Sequence, residues 1–166
     1  MPDEATPPAD DSARDGAALA LCASTALVEK GPAHGFEVLH FREPARAFAL
    51  RFDGRVVAYL NRCLHVPIEM DWNLNQFLDA DKTFILCATH GAAYEPLTGR
   101  CAGGPCGRGR LTAIDTIERD GQVYWYPSQG TKPVPEHVVR VVVNPAAESS
   151  LSRFSSAAPV LEVKPS

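Results

Sequence analysis

Two short pairs of cysteine and histidine constrain this chain more than any other feature. Cys63-Leu64-His65 and, after a gap of 21 residues, Cys87-Ala88-Thr89-His90 each hold one thiol and one imidazole. Thiolate and imidazole are the ligands that borderline and soft metals prefer. A β-rich run precedes each pair, Val56–Leu60 the first and Phe84–Leu86 the second. We therefore expect metal ligands that project from two loop tips of a β protein.

The chain around these pairs alternates short β-rich runs with turn signals, and no long helical period appears. The other candidate strands are Phe36–Phe41, Ala47–Phe52, Thr112–Arg119 and Gln122–Tyr126. Asp53-Gly54 and Asp120-Gly121 lie between successive runs, and this dipeptide suits a tight hairpin turn because both positions tolerate positive φ. The pattern predicts an all-β fold with two hairpins.

A length of 166 residues corresponds to about one domain. We expect an acidic, disordered leader over residues 1–20, because its Pro/Ala-rich composition buries too little apolar surface to order itself. A β domain is expected over 21–127, with its metal-binding part at about 61–111. Residues 128–166 are expected to form a loosely ordered tail, in which Val138–Val143 is a candidate strand.

The formal net charge of −4 gives no basic footprint for nucleic acid, and the acidic excess of the leader leaves the rest of the chain close to neutral. No basic segment precedes an apolar stretch at the start, as a secretory signal requires. No apolar run approaches the roughly twenty residues of a membrane helix. We expect a soluble, cytoplasmic protein without nucleic-acid or membrane partners.

Five cysteines are an odd number, which argues against a closed disulfide framework. Cys22 stands alone and reads as a small buried hydrophobe. Cys101 and Cys106 can pair across Ala102–Pro105, serve as a thiol pair, or simply pack. We expect reduced, packed thiols, because a short loop strains a disulfide and a reducing compartment opposes it.

The segment Asn61–Leu111 resembles the Rieske [2Fe–2S] family, whose pattern is Cys-x-His, a spacer, then Cys-x-x-His-Gly. Cys87–Arg100 resembles the second cluster loop, and Gly103-Gly104-Pro105 stands where the family has its proline loop, a lid over the cluster. The likeness runs from about Leu21 to Tyr124-Trp125-Tyr126, about two thirds of the chain. It implies a Rieske-type antiparallel β-sandwich with a cluster-binding subdomain of two ligand loops and a Gly-Pro lid.

The resemblance implies one [2Fe–2S] cluster, with one iron held by Cys63 and Cys87 and the other by His65 and His90. The histidine-bound iron is then the one that gains the electron, since neutral imidazoles leave it less negative. The family also implies six residues around the cluster: Leu64, Gly91, Ala92, Tyr94, Gly104 and Pro105.

Departures from the family pattern refine the expectation. The spacer is longer than in small Rieske ferredoxins and enlarges the loop around Asp71–Asn75, whose Trp72 either faces a partner or, as we expect, packs. Respiratory Rieske proteins carry an extra cysteine in each loop, where this chain has Ile68 and Thr89, so it is similar to the ferredoxin branch.

The family's high-potential members carry a serine and a tyrosine that donate hydrogen bonds to cluster sulfurs. Ala92 stands at the serine position and has no donor, whereas Tyr94 keeps the second one. We expect a low-to-intermediate reduction potential, below that of respiratory Rieske proteins.

The leading functional interpretation is an electron carrier between a reductase and an oxygenase or other redox partner. Alternatives are a small Rieske subunit of a reductase of the nitrite-reductase type, or a redox-sensing module. The edges of His65 and His90 are the expected electron exit. Three arginines near the lid either dock an acidic partner or are ordinary solvated charges: Arg100, Arg108 and Arg110.

Two other classes of protein share part of this pattern. A terminal oxygenase needs a mononuclear iron held by two histidines and a carboxylate. Only His34, His40 and His137 remain, no substrate domain follows, and we assign no catalytic residue. A structural zinc module also uses two cysteines and two histidines, but it needs neither a Gly-Pro lid nor flanking hairpins.

Overall fold

The computed structural model describes residues 17–135, which fold into eleven β-strands and a 3-10 turn at Ser24–Ala26. The strands are β1 (Leu19–Ala23), β2 (His34–His40), β3 (Glu43–Phe52), β4 (Arg55–Leu60), β5 (Ile85–Leu86), β6 (Ala93–Tyr94), β7 (Cys101–Gly103), β8 (Ala113–Ile114), β9 (Thr116–Arg119), β10 (Gln122–Trp125) and β11 (Thr131–Pro133).

These strands form three antiparallel sheets. One has the order β1-β10-β9, a second the order β11-β2-β3-β4-β8, and a small third the order β5-β6-β7. Both predicted hairpins are present, β3–β4 and β9–β10. Asp53, Gly54, Asp120 and Gly121 all have positive φ, as a tight hairpin turn requires. The predicted antiparallel all-β class is confirmed.

The central strand β3 is buried on both faces, and its alternating sequence divides the interior into two cores. Phe48, Leu50 and Phe52 belong to a core shared with β5, β6 and the loops that carry the cysteine–histidine pairs. Ala47 and Ala49 point to the other face, into a core shared with β1 and β10. Small residues on one face and large ones on the other suit the two layers packed against the same sheet.

Phe77 anchors the long spacer between the two Cys–His pairs to the central sheet. Its ring stacks on Phe48 with a centroid distance of 3.6 Å and an interplanar angle of 11°. Both side chains are almost completely buried, so burial of apolar area adds to the stacking. The spacer is therefore folded onto the sheet that carries β4, the strand that leads into the first pair.

A second link, between two sheets, is the ion pair of Arg51 on β3 and Glu118 on β9. Both terminal nitrogens of the guanidinium contact the carboxylate, at 3.0 and 2.6 Å. Arg51 Nε also donates to the carbonyl of Leu27 at 2.9 Å. The hydrogen bond from Arg51 lowers the pKa of Glu118 to about 2, so the carboxylate stays charged over the physiological range.

The strands extend beyond the expected domain bounds of 21–127 at both ends. β1 begins at Leu19, so the last two residues of the expected disordered leader belong to a sheet. β11 pairs with β2 beyond residue 127, a long-range partner that local sequence does not reveal. The candidate strand Val138–Val143 lies outside the described residues. Among residues 17–135, no helix is long and apolar enough to cross a bilayer.

Candidate metal centre

The first loop, residues 61–70, follows β4 and presents Cys63 and His65. The amide of Cys63 donates to the carbonyl of Ile68 at 2.9 Å, which folds the loop back on itself. Cys63 is buried, with 3% of its surface exposed, whereas His65 is exposed. The loop therefore holds its thiol inside and its imidazole at the surface.

A buried polar network closes the base of this loop. Asn61 donates from Nδ2 to Asp71 Oδ1 at 2.6 Å and accepts from the amide of Met70 at 2.8 Å. Asp71 Oδ2 accepts from the amide of Asn75 at 2.8 Å and lies 3.4 Å from Arg46 Nη2. The sequence places Asp71 in an enlarged loop but does not reveal this role, since a lone Asn and Asp ten residues apart give no specific signal.

The second loop, residues 87–92, follows β5 and presents Cys87 and His90. The amide of Cys87 donates to the carbonyl of Ala92 at 2.8 Å, and the amide of Gly91 donates to the carbonyl of Cys87 at 3.0 Å. Gly91 has φ +73°, a conformation that glycine adopts without strain. The amide of Ala88 donates to the carbonyl of Met70 at 2.9 Å, and this hydrogen bond joins the two loops.

The two thiols are buried side by side and are hydrogen-bond neighbours. Backbone amides of His65 and Val66 hydrogen-bond to the sulfur of Cys63, and those of Thr89 and His90 to that of Cys87. Such amides stabilise negative charge on sulfur and tune iron–sulfur centres. Each loop thus surrounds its cysteine with donors two and three residues further on.

The two thiols nevertheless differ. Burial, the largest effect, raises the pKa of Cys87 above its usual value. Burial acts on Cys63 in the same direction, but hydrogen bonds from Tyr94, from the amides of His65 and Val66 and from Cys87 together lower the pKa of its thiol. A lowered pKa favours the thiolate, the form in which cysteine binds a metal.

Tyr94 on β6 is fully buried, and its hydroxyl contacts two successive residues of the first loop. Its hydroxyl oxygen accepts from the amide of Leu64 at 3.1 Å and lies 3.2 Å from Cys63 Sγ. Because the oxygen already accepts from an amide, its own proton is available to the sulfur. Ala92, at the neighbouring family position, is buried and offers no side-chain donor.

His65 and His90 are brought together from the two loops, with ring centroids 4.8 Å apart and planes at 90°. Both residues are exposed. The fold therefore pairs thiol with thiol in the interior and imidazole with imidazole at the surface.

This donor set fits a binuclear cluster better than a single ion. A tetrahedral zinc site needs three or four donors around one point. Within residues 17–135, no three His, Cys, Asp or Glu side chains gather around one point in that way. One thiol pair and one imidazole pair match a [2Fe–2S] cluster with two cysteines and two histidines, one pair for each iron.

The lid, residues 100–111, rests on both loops through glycines. A Cβ atom on Gly104 would meet the carbonyl oxygen of Gly91, and its φ of +77° also favours glycine. A Cβ atom on Gly109 would meet the side chain of Leu64. Pro105 follows Gly104 and is exposed. Close backbone approach thus seats the lid against the second loop at Gly104 and the first at Gly109.

Cys101 and Cys106 form a disulfide within the lid, so the expectation of reduced, packed thiols was wrong. Their Cα atoms are 5.7 Å apart, inside the usual range for a disulfide. The intervening Gly103-Gly104 turn allows this approach, since Gly104 takes up a backbone conformation that other residues avoid. Cys106 is buried in the same core as Cys63 and Cys87, so the disulfide fastens the lid beside the thiols.

The expected packing of Trp72 is also wrong, because 81% of this residue is exposed. Phe77, five residues further on, fills the space against the sheet instead. Cys22 is buried in the second core, as predicted, and lies apart from the site. Ile68 and Thr89 are both exposed on their loops.

Comparison with known proteins gives the same assignment. The family model described as Rieske [2Fe-2S] domain matches residues 18–132. Among curated proteins, no significant sequence match was found.

Solved structures share the fold. The ferredoxin of carbazole 1,9a-dioxygenase from Nocardioides aromaticivorans IC177 is 18% identical, with a TM-score of 0.52 over 67% of this chain and 98% of its own. A fluorene-bound oxygenase and ferredoxin complex of carbazole 1,9a-dioxygenase is 22% identical, with a TM-score of 0.56 over 71% of this chain and 30% of its own.

The terminal oxygenase of carbazole 1,9a-dioxygenase from Novosphingobium sp. KA1 is 18% identical, with a TM-score of 0.52 over 72% of this chain. This chain spans about 30% of the length of the chains that it matches in these two structures. The family match covers more than half of the chain and agrees with the paired thiols and imidazoles. The chain therefore belongs to the Rieske [2Fe–2S] family, and its cofactor is one [2Fe–2S] cluster.

Proposed function

We propose that this protein carries single electrons between a reductase and an oxygenase or another redox protein. Cys63 and Cys87 would hold one iron, and His65 and His90 the other. When bound, the cluster supplies one-electron chemistry, taking up and giving back a single electron. The observation that supports this proposal best is the exposed edge-to-face pair of His65 and His90 beside two buried thiols.

The residues around the site have two roles. Some protect the site from water, and others contact the partner protein. The buried thiols and the lid exclude water from one side of the site. The exposed imidazole edges of His65 and His90 offer a partner protein a short path to the other side. No substrate pocket is needed for this role, because the partner itself approaches the histidine edges.

Spectroscopy and stoichiometry test this proposal directly. The purified holoprotein should be red-brown, contain two irons and two sulfides per chain, and take up one electron per chain in a reductive titration. A native partner isolated by co-purification should then reduce or oxidise the cluster. A colourless protein with stoichiometric zinc, or a cluster that exchanges no electron with any co-purified redox protein, would contradict the proposal.

The Tyr94 hydroxyl is expected to raise the reduction potential. The reduced cluster carries more negative charge, so a donor to Cys63 Sγ stabilises that state more than the oxidised one. If Tyr94→Phe removes about 1 kcal/mol of this difference, the potential falls by roughly 40 mV, since one electron gives 59 mV per tenfold change. A redox titration of the two holoproteins measures it.

Tyr59→Phe is the matched control for this substitution. Tyr59 is also buried, but its hydroxyl donates to the carbonyl of Pro96 at 2.8 Å. Its loss should leave the potential unchanged. Equal potentials in Tyr94→Phe and the parent protein would show that this hydroxyl does not act on the cluster, and a parent potential of about +250 mV or more would refute the expected low-to-intermediate range.

The same proposal includes a cytoplasmic location. This location bears on the second candidate function, which is redox sensing. Disulfides are rare in that compartment because dithiol reductants keep cysteines reduced. The Cys101–Cys106 disulfide would meet the same reductants there. If this disulfide opened and closed beside the cluster, the lid would suit a redox-sensing role. Electron transfer that changes when this disulfide alone is reduced would support sensing over simple carriage.

A further inference from the structure

The lid carries three exposed arginines: Arg100, Arg108 and Arg110. Within the part of the chain that the structure describes, none of them forms an ion pair. Arg100 and Arg110 lie directly opposite each other in an antiparallel bridge. Like charges in that position destabilise a strand pair, so local stability does not account for this arrangement.

Two of the three arginines lie beside the first loop, which presents His65. Arg108 and Arg110 flank Gly109, which packs against the side chain of Leu64. Leu64 lies between Cys63 and His65 in the first loop. The amide of Cys101 donates to the carbonyl of Gly109 at 2.9 Å, which holds this part of the lid in place.

Apolar side chains surround His65 on the same loop. Leu64, Val66 and Ile68 are 41%, 37% and 37% exposed. An apolar centre with a charged rim is the usual composition of a protein docking surface. The charge of this rim is positive on the lid side.

Among residues 17–135, no carboxylate forms an ion pair with the lid arginines. Glu69 in the first loop pairs with Arg46 at 2.9 Å. Glu95, which precedes the lid, accepts from the hydroxyl of Thr98 at 2.8 Å. The positive rim therefore stands out on a chain whose formal net charge is −4.

We propose that Arg100, Arg108 and Arg110 dock an acidic surface of the redox partner. This inference rests on the proposed function and adds the chemistry of the partner. The negative net charge alone predicts the opposite, a basic partner. Because potentials near a protein surface follow local charge at short range, the lid arginines govern the final approach.

A binding measurement tests the docking chemistry without using electron transfer. Fluorescein-labelled poly-L-glutamate is titrated with holoprotein at low ionic strength, and fluorescence anisotropy gives the affinity. Changing Arg100, Arg108 and Arg110 together to glutamine should weaken binding about tenfold or more. Parent protein that does not bind poly-L-glutamate, or a triple variant that binds equally well, would overturn the inference.

Arg55→Glu provides a matched control for Arg108→Glu. Arg55 is exposed and begins β4, whose other end leads into the first loop about 17 Å away along the strand. Both variants lower the net charge by the same amount. Only Arg108→Glu should weaken binding of poly-L-glutamate, and an equal effect of the two would assign the binding to net charge instead.

A kinetic measurement then ties the arginines to the histidine edges. The reduced cluster gives one electron to ferricyanide, which becomes ferrocyanide, and the rate is followed from about 0.01 to 0.15 M ionic strength. We expect the rate to fall as salt rises in the parent, and to rise with salt in the triple glutamine variant. The cationic oxidant tris(phenanthroline)cobalt(III) should show the reverse dependence in the parent.

The outcomes separate this inference from the proposed function. A ferricyanide rate that rises with salt in the parent overturns the acidic-partner inference and leaves electron carriage standing. A protein without a reducible cluster overturns both.

Discussion

Replacing Cys87 by alanine should abolish the cluster, whereas replacing Cys22 by alanine should leave it in place. Cys87 is fully buried, and its sulfur receives hydrogen bonds from the amides of Thr89 and His90. A [2Fe–2S] cluster has few ligands to lose, and alanine offers no atom that can replace the thiolate. Iron and sulfide content and visible absorbance of the purified variants measure the result.

Cys22→Ala separates loss of a ligand from loss of packing. Both cysteines are buried and lack a disulfide, but Cys22 lies in the second core, away from the loops. Each substitution removes one sulfur atom from the interior, so any general cost of a small cavity is shared. A Cys87→Ala protein with full iron and sulfide content would contradict the ligand assignment.

The sequence revealed the features that depend on short-range chemistry. Asp-Gly dipeptides predicted both hairpins, because positive φ at two successive residues is a local requirement. The two Cys–His pairs predicted two loop tips for the same reason, since each pair lies within one loop. The family resemblance then supplied how the pairs combine, which spacing alone left open.

Features that depend on distant partners escaped prediction. β11 forms a strand only because it pairs with β2, some ninety residues earlier in the chain. Trp72 is the more conspicuous aromatic residue in the sequence, yet it is exposed. Phe77 stacks on Phe48 instead, because the spacer turns between Trp72 and Phe77. The disulfide also escaped prediction, because a short loop suggests strain, whereas the turn at Gly103-Gly104 brings the two cysteines together.

Asp71→Ala should destabilise the protein far more than Glu69→Ala, although both carboxylates contact Arg46. The side chain of Asp71 is completely buried, whereas that of Glu69 is 52% exposed. Removing Asp71 takes the acceptor from the side-chain amide of buried Asn61 and from the backbone amide of half-buried Asn75. Breaking a buried, hydrogen-bonded charge costs about 3–5 kcal/mol, whereas an exposed ion pair contributes about 1 kcal/mol or less.

Urea unfolding of the three holoproteins measures this difference. With a slope of about 1–3 kcal/mol/M, a loss of about 3 kcal/mol lowers the midpoint by roughly 1–3 M. Glu69→Ala should shift it by well under half of that. Equal shifts in the two variants would mean that Arg46, and not the buried network, carries the stability of the loop base.

The same substitution should also shorten the lifetime of the cluster. Asn61 positions Met70 at one end of the first loop, and Met70 accepts from the amide of Ala88 at the start of the second. Loss of Asp71 frees Asn61 and so loosens the join between the loops that carry the two thiols. Absorbance decay in the presence of an iron chelator should therefore be faster in Asp71→Ala than in Glu69→Ala at a urea concentration where both remain folded. Equal decay rates would show that the network supports the fold without holding the two loops in register.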